Sequence, residues 1–208
     1  MFRTKFACGV FLILATLSYH PQTVRAEKDG EAKPERDEEL RQELFKMVKE
    51  DQDFRKEMLK TSNPDAETLK KGKDIDRKNT VRMKEIIKKH GWPGKSLVGD
   101  DGAHAAWLLV QHADEDREFQ KRCLTLLERA VQAKQASGID LAYLTDRVLV
   151  AENKKQVYGT QFRSVDGKLE PNPIEDEKNV DRRRKEVGLP SMDEYRKMMA
   201  EMYKPKKK

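Results

Sequence analysis

A chain of 208 residues is long enough for one packed core, and only two of those residues are cysteines. Charged residues make up 38% and apolar ones 37%, a balance that predicts helices with broad solvated faces. The formal net charge of +6 belongs to the chain ends: Arg3, Lys5 and Arg25 precede the first acidic residue, Glu27, and Lys204, Lys206, Lys207 and Lys208 close the sequence. Residues 27–203 are therefore close to neutral, which excludes a general positive field for nucleic acid.

In chain order, residues 1–26 have the layout of a cleavable secretory signal peptide. Arg3 and Lys5 supply the positive start, and Phe6 to Leu17 is an apolar run well short of the roughly 20 residues a membrane-crossing helix needs. Ser18 to Gln22 breaks the run, and Val24-Arg25-Ala26 suits a signal peptidase, so cleavage is expected after Ala26. The alternative, an uncleaved anchor, is disfavoured by the short run. The expectation is an extracytoplasmic protein, periplasmic or secreted, without a transmembrane span after cleavage. Cys123 would then be its one cysteine, so no intramolecular disulfide is possible and packing must hold the fold.

Residues 27–36, with Gly30 and Pro34 and no apolar periodicity, read as a flexible charged leader. From residue 37 to 203 one helical domain is expected. Leu40, Leu44, Met47, Phe54, Met58 and Leu59 recur at helical spacing and predict a helix from Asp37 to about Lys60. Thr61 to Pro64 breaks it, a short turn at 65–71 precedes Gly72, and a second long helix runs from Asp74 to Lys89, ended by His90-Gly91-Trp92-Pro93. A helix apolar on every side starts near Gly102 and reaches Asp114. Another covers 115–135, with Phe119, Cys123, Leu126, Leu127 and Ala130 on its inner stripe, and Asp140 is placed to cap the next, 141–151. Residues 156–162 are β-prone and Asp166-Gly167 is a turn signal, so a small hairpin is expected near 156–171. A loop over 175–181, a last helix from Ser191 to about Tyr203 and a Lys-rich tail at 204–208 complete a mainly α fold of about five to six helices. The tail reads as a solvated end that could hold loosely to an anionic envelope surface.

The chemistry-bearing signal is thermodynamic. Asp146 and Arg147 sit mid-way along an apolar helix, where an unpaired charge would cost several kcal/mol. Neighbours on a helix point about 100° apart, so their partners must come from other elements. The candidates are Gln111, His112 and Asp114 at the end of the apolar helix, Tyr158 and Gln161 in the hairpin segment, and Asp51, Gln52 and Arg55 on the first helix. Gln111, His112, Asp114, Asp146, Arg147, Tyr158 and Gln161 form the candidate ligand-binding cluster. Used chemically, His112 would be an acid/base oriented by Asp114 or Asp146, with Arg147 holding an anionic or carbonyl oxygen. Used structurally, the same groups would only tie helices together.

Other apparent motifs carry less. Gly94-Lys95-Ser96 lacks the glycine five positions earlier that a phosphate-binding loop needs, since residue 89 is lysine. His104 and His112 are not at the i, i+4 spacing that grips a metal, so no metal and no cofactor are expected. Cys123, Trp92 and Trp107 read as core residues, and there is no Gly-x-Ser-x-Gly element.

His90-Gly91-Trp92-Pro93, Ala105 to Asp114, Tyr143 to Val148, Tyr158-Gly159-Thr160-Gln161 and Pro173-Ile174-Glu175-Asp176 with Asp181, Arg182 and Arg183 occur in the order of a known pattern. The chain resembles, over roughly 37–200, a bacterial family of domains of unknown function. The resemblance implies no mechanism. The first expectation is a domain that binds a small ligand or an envelope partner; a hydrolase using the same groups is the second, and a purely structural envelope protein the third.

Overall fold

A computed structural model describes residues 36–203 apart from 59, 62, 63 and 167. The expected signal peptide, the leader up to residue 35 and the Lys-rich tail lie outside the described residues. The described part is mainly helical, as the periodicity predicts, and falls into two compact units, residues 36–112 and 113–203.

The N-terminal unit is built from three mutually touching helices: α1 (Glu38–Met58), α2 (Ala66–His90) and α3 (Lys95–Gln111). Asp37 opens α1 by accepting from the Leu40 amide, and Asp65 opens α2 by accepting from Thr68, so each first turn has one orphan N–H satisfied. Leu40, Leu44, Ile75, Met83, Ile86, Val98, Ala106, Trp107 and Val110 are buried. At the other end of α2, Gly91 adopts φ +71 and its amide bonds to the Ile87 carbonyl, before Pro93 forbids continuation.

In the N-terminal unit two helix starts differ from the sequence expectation. The expected break at Gly72 does not occur, and α2 runs through it. The reason lies in packing: a Cβ at Gly72 would stand 2.5 Å from the Phe54 ring, so the missing side chain makes room for an aromatic residue of α1. Helix α3 begins seven residues before Gly102, as one turn that ends at Gly99 (φ +77, ψ 170) and is followed by the long apolar run.

The C-terminal unit holds the packed pair α4 (Arg117–Gln132) and α5 (Gly138–Ala151), then a hairpin of β1 (Phe162–Val165) and β2 (Lys168–Pro171), a 3-10 turn at Glu177–Asn179, α6 (Val180–Glu186) and α7 (Met192–Met202). Ser137, not Asp140, caps α5, accepting from the Ile139 amide; Asp140 sits buried in the first turn. A reciprocal capping box of Ser191 and Glu194 opens α7. The hairpin pairs Phe162 with Pro171 and Val165 with Lys168 in antiparallel register, with Asp166 at φ +50 beyond the last pair; Gly167 of the expected turn lies outside the described residues. The hairpin is shorter than expected. Residues 156–161 form no strand beyond a single bridge between Gln156 and Ile174, and the stretch expected as a loop over 175–181 contains the 3-10 turn and the start of α6.

Candidate functional site

The residues between α5 and β1 are shaped around a carboxylate. Asp146 is fully buried, and its oxygens accept from the amides of Val157 (2.7 Å), Tyr158 (3.0 Å) and Thr160 (2.8 Å) and from the Thr160 hydroxyl (3.0 Å). Backbone donors can converge this way because Gly159 takes φ +71, a conformation open to glycine; a Cβ there would also meet Met192 Sδ at 2.6 Å. Burial pushes the Asp146 carboxyl above the usual carboxylate range, against the downward pull of those amides. Tyr158 takes part through its backbone rather than through its phenol.

The rest of the loop is held as firmly. Gln156, fully buried, donates to the carbonyls of Gln161 (3.0 Å) and Asn172 (2.7 Å) and accepts from the Gln161 amide (2.9 Å). Arg183 donates to the Val157 carbonyl, and Arg184, fully buried, donates to the carbonyls of Tyr158 and Pro190 while its guanidinium lies 4.8 Å over the Tyr195 ring. The Tyr195 hydroxyl donates to the Thr160 carbonyl at 3.2 Å. Sequence reasoning missed Arg184, which stands in a run of six charged residues, Asp181 to Glu186, where nothing marks one as interior.

Arg147 faces elsewhere. Its Nε donates to Asp114 Oδ1 (2.7 Å), its Nη2 pairs with the other oxygen of Asp114, and its Nη1 reaches Gln161 Oε1 at 3.4 Å. Asp114, Arg147 and Gln161 thus come together as the thermodynamic argument expects. The Asp114 side chain is 46% exposed, so this pair contributes modestly, on the order of 1 kcal/mol or less.

His112 belongs to the N-terminal unit, and its ring is oriented there by Asp51. Nδ1 lies 3.1 Å and 2.9 Å from the two Asp51 oxygens, with both residues buried. Asp51 is thus an orienting acid beyond the Asp114 or Asp146 expected for the imidazole; Asp146 accepts from the 157–160 loop and Asp114 from Arg147. Asp51 also accepts from Arg55 Nε (2.9 Å) and Gln52 Nε2 (2.7 Å), and Arg55 Nη2 pairs with Asp76. Burial raises the Asp51 carboxyl, but the His112 hydrogen bond, the charges of His112 and Arg55 and the Gln52 bond together hold it down at about 2. An ionised carboxylate can only accept, so Nδ1 carries the proton, and in the neutral ring Nε2 is the basic nitrogen.

On the buried stripe of α2 with Ile75, Met83 and Ile86, one turn beyond the partly exposed Asp76, stands Asn79, 3% exposed, with neither Oδ1 nor Nδ2 hydrogen-bonded. Each unmet group of a buried amide costs roughly 1–3 kcal/mol. Asp76 and Asn79 were missed by sequence reasoning, since polar residues one turn apart on a charged helix look like a solvated face. Gln111 is buried at the end of α3. Among the described residues no group of three or more His, Cys, Asp or Glu side chains is arranged to hold a metal ion, and no helix is long and apolar enough to cross a membrane.

A family of unknown function (DUF6624) matches over residues 38–208, which includes the Lys-rich tail that the sequence resemblance left outside. No curated protein and no solved structure matches the chain significantly.

Proposed function

The chain belongs to the family of unknown function DUF6624, and we propose that it is an exported bacterial protein that binds a small ligand or an envelope component at the polar cluster of its N-terminal unit. The groups are Asp51, Arg55, Asp76 and His112, with Asn79 one turn from Asp76 on α2. The observation that carries this reading is Asp51 itself: an ionised carboxylate, 1% exposed, shared between an imidazole and a guanidinium inside a three-helix unit. Buried ion clusters of this kind are often no more stable than apolar packing of the same volume. Their retention is accounted for by a task in recognition, as functional groups are commonly held at a cost in stability. The amide-lined carboxylate at Asp146 and the buried Arg184 serve the fold of the C-terminal unit, and Arg147 with Asp114 and Gln161 supplies a second, more exposed polar surface. Export rests on the layout of residues 1–26.

One observation favours a second reading. A histidine whose Nδ1–H points at an ionised aspartate has the arrangement of a general base, so a hydrolytic role would use His112 with Asp51.

The test is a thermal-shift screen of residues 27–208 against sugars, peptides, amides, nucleotides and envelope fragments, repeated with His112→Ala and Asp51→Asn. Binding at the cluster is expected as a stabilisation of several degrees in the parent that both variants lose while still folding. Ligand shifts of equal size in parent and variants would sink the reading. Turnover of the stabilising compound would select the hydrolytic version.

A further inference from the structure

The groups of the N-terminal cluster differ in what they still have to offer. Arg55 spends Nε on Asp51 and Nη2 on Asp76, and Asp51 spends its oxygens on His112, Arg55 and Gln52. The Thr80 hydroxyl donates to the Asp76 carbonyl in its own helix. Asn79 is a buried side chain of α2 that holds both an unmet donor and an unmet acceptor.

We propose that the Asn79 carboxamide is the ligand-recognising group of this cluster and that its ligand presents a neutral amide. The proposal rests on the binding reading above and narrows it. A carboxamide has two N–H donors beside a carbonyl acceptor, and the group that satisfies both at once is another amide, which pairs N–H to O and O to H–N. Charge argues the same way. Asp51 faces both Arg55 and His112 and Asp76 faces Arg55, so the cations of the cluster already have carboxylates beside them and an anionic ligand would compete with these. A cationic ligand would need a carboxylate already taken by Arg55.

The experiment uses the 27–208 chain labelled with nitrogen-15, titrated with acetamide and N-acetylglycine amide, with acetate as the charged control of equal size. The Asn79 side-chain NH2 signals are expected to move saturably with either amide and to stay in place with acetate. Asn79→Leu, close in volume and apolar, is expected to keep or raise Tm and to abolish the saturable response elsewhere in the unit. NH2 signals that ignore both amides, or that respond equally to acetate, overturn the proposal, and so does a Leu variant that binds amide as the parent does. A different compound that binds through His112 while the Asn79 signals stay still overturns the amide assignment and leaves the binding reading standing; a chain on which no probe shifts either residue removes both.

Discussion

Asp146 accepts four donors that all come from residues 157–160, so its chemistry and the path of that loop are one fact seen from two sides. Asp146→Ala would leave those donors buried with no acceptor, and a loss of roughly 3–5 kcal/mol is expected in urea unfolding. Asp146→Asn keeps one acceptor oxygen but turns an NH2 towards N–H donors, so it should fall between parent and Ala; an Asn variant as stable as the parent would show that the charge is dispensable. Asp51 gives a prediction in pH. Its folded value, about 2, lies below the ordinary 3.8, so the stability it contributes is complete above pH 4 and disappears as the pH falls towards 2. The shift corresponds to roughly 2 kcal/mol. Denaturation midpoints measured between pH 5 and pH 2 should therefore fall more steeply for the parent than for Asp51→Asn, and parallel curves would contradict the pairing.

Elements show where local propensity yields to packing. Gly72 lies inside α2, where alanine is the better helix former by about 1 kcal/mol, yet the Phe54 ring occupies the place of its Cβ. Gly72→Ala is therefore expected to destabilise, by about 1–3 kcal/mol, and the loss should shrink in the double variant with Phe54→Leu. A double-mutant cycle with no coupling would mean that the ring moves aside at no cost. The same logic explains the hairpin. Residues 156–161 have strand-like composition, but Asp146 and the Gln156 side chain take the amides of Val157, Tyr158, Thr160 and Gln161 that a ladder would need. The loop between α5 and β1 is thus ordered by side chains in place of strand pairing.

At the scale of the whole chain, the proposed export signal can be tested apart from the folded body. Residues 1–26 fused to a reporter in a bacterial host should carry it out of the cytoplasm, and N-terminal sequencing of the exported chain should begin at Glu27; a chain retained at full length would overturn the export reading. Much was legible beforehand. Apolar periodicity identified α1, α4 and α7 to within three residues at each end, and the cost of burying charge on α5 showed that Asp146 and Arg147 need partners beyond their own helix. Asp114 and Gln161, which meet Arg147, were among eight candidate partners named for Asp146 and Arg147 together, without assignment to either. Asp51 was among those candidates but was not singled out for His112, since the acids two residues away and on α5 were as plausible in sequence as one 61 positions distant. Helical character and the need for counter-groups are properties of local pattern and of solvation, so the sequence by itself determined both. Which acid meets the imidazole, that amides rather than a cation receive Asp146, and that Asn79 is buried with its amide unmet depend on which faces pack together. Only the tertiary structure decided these, because side-chain burial and reach are set by the approach of elements far apart in the chain.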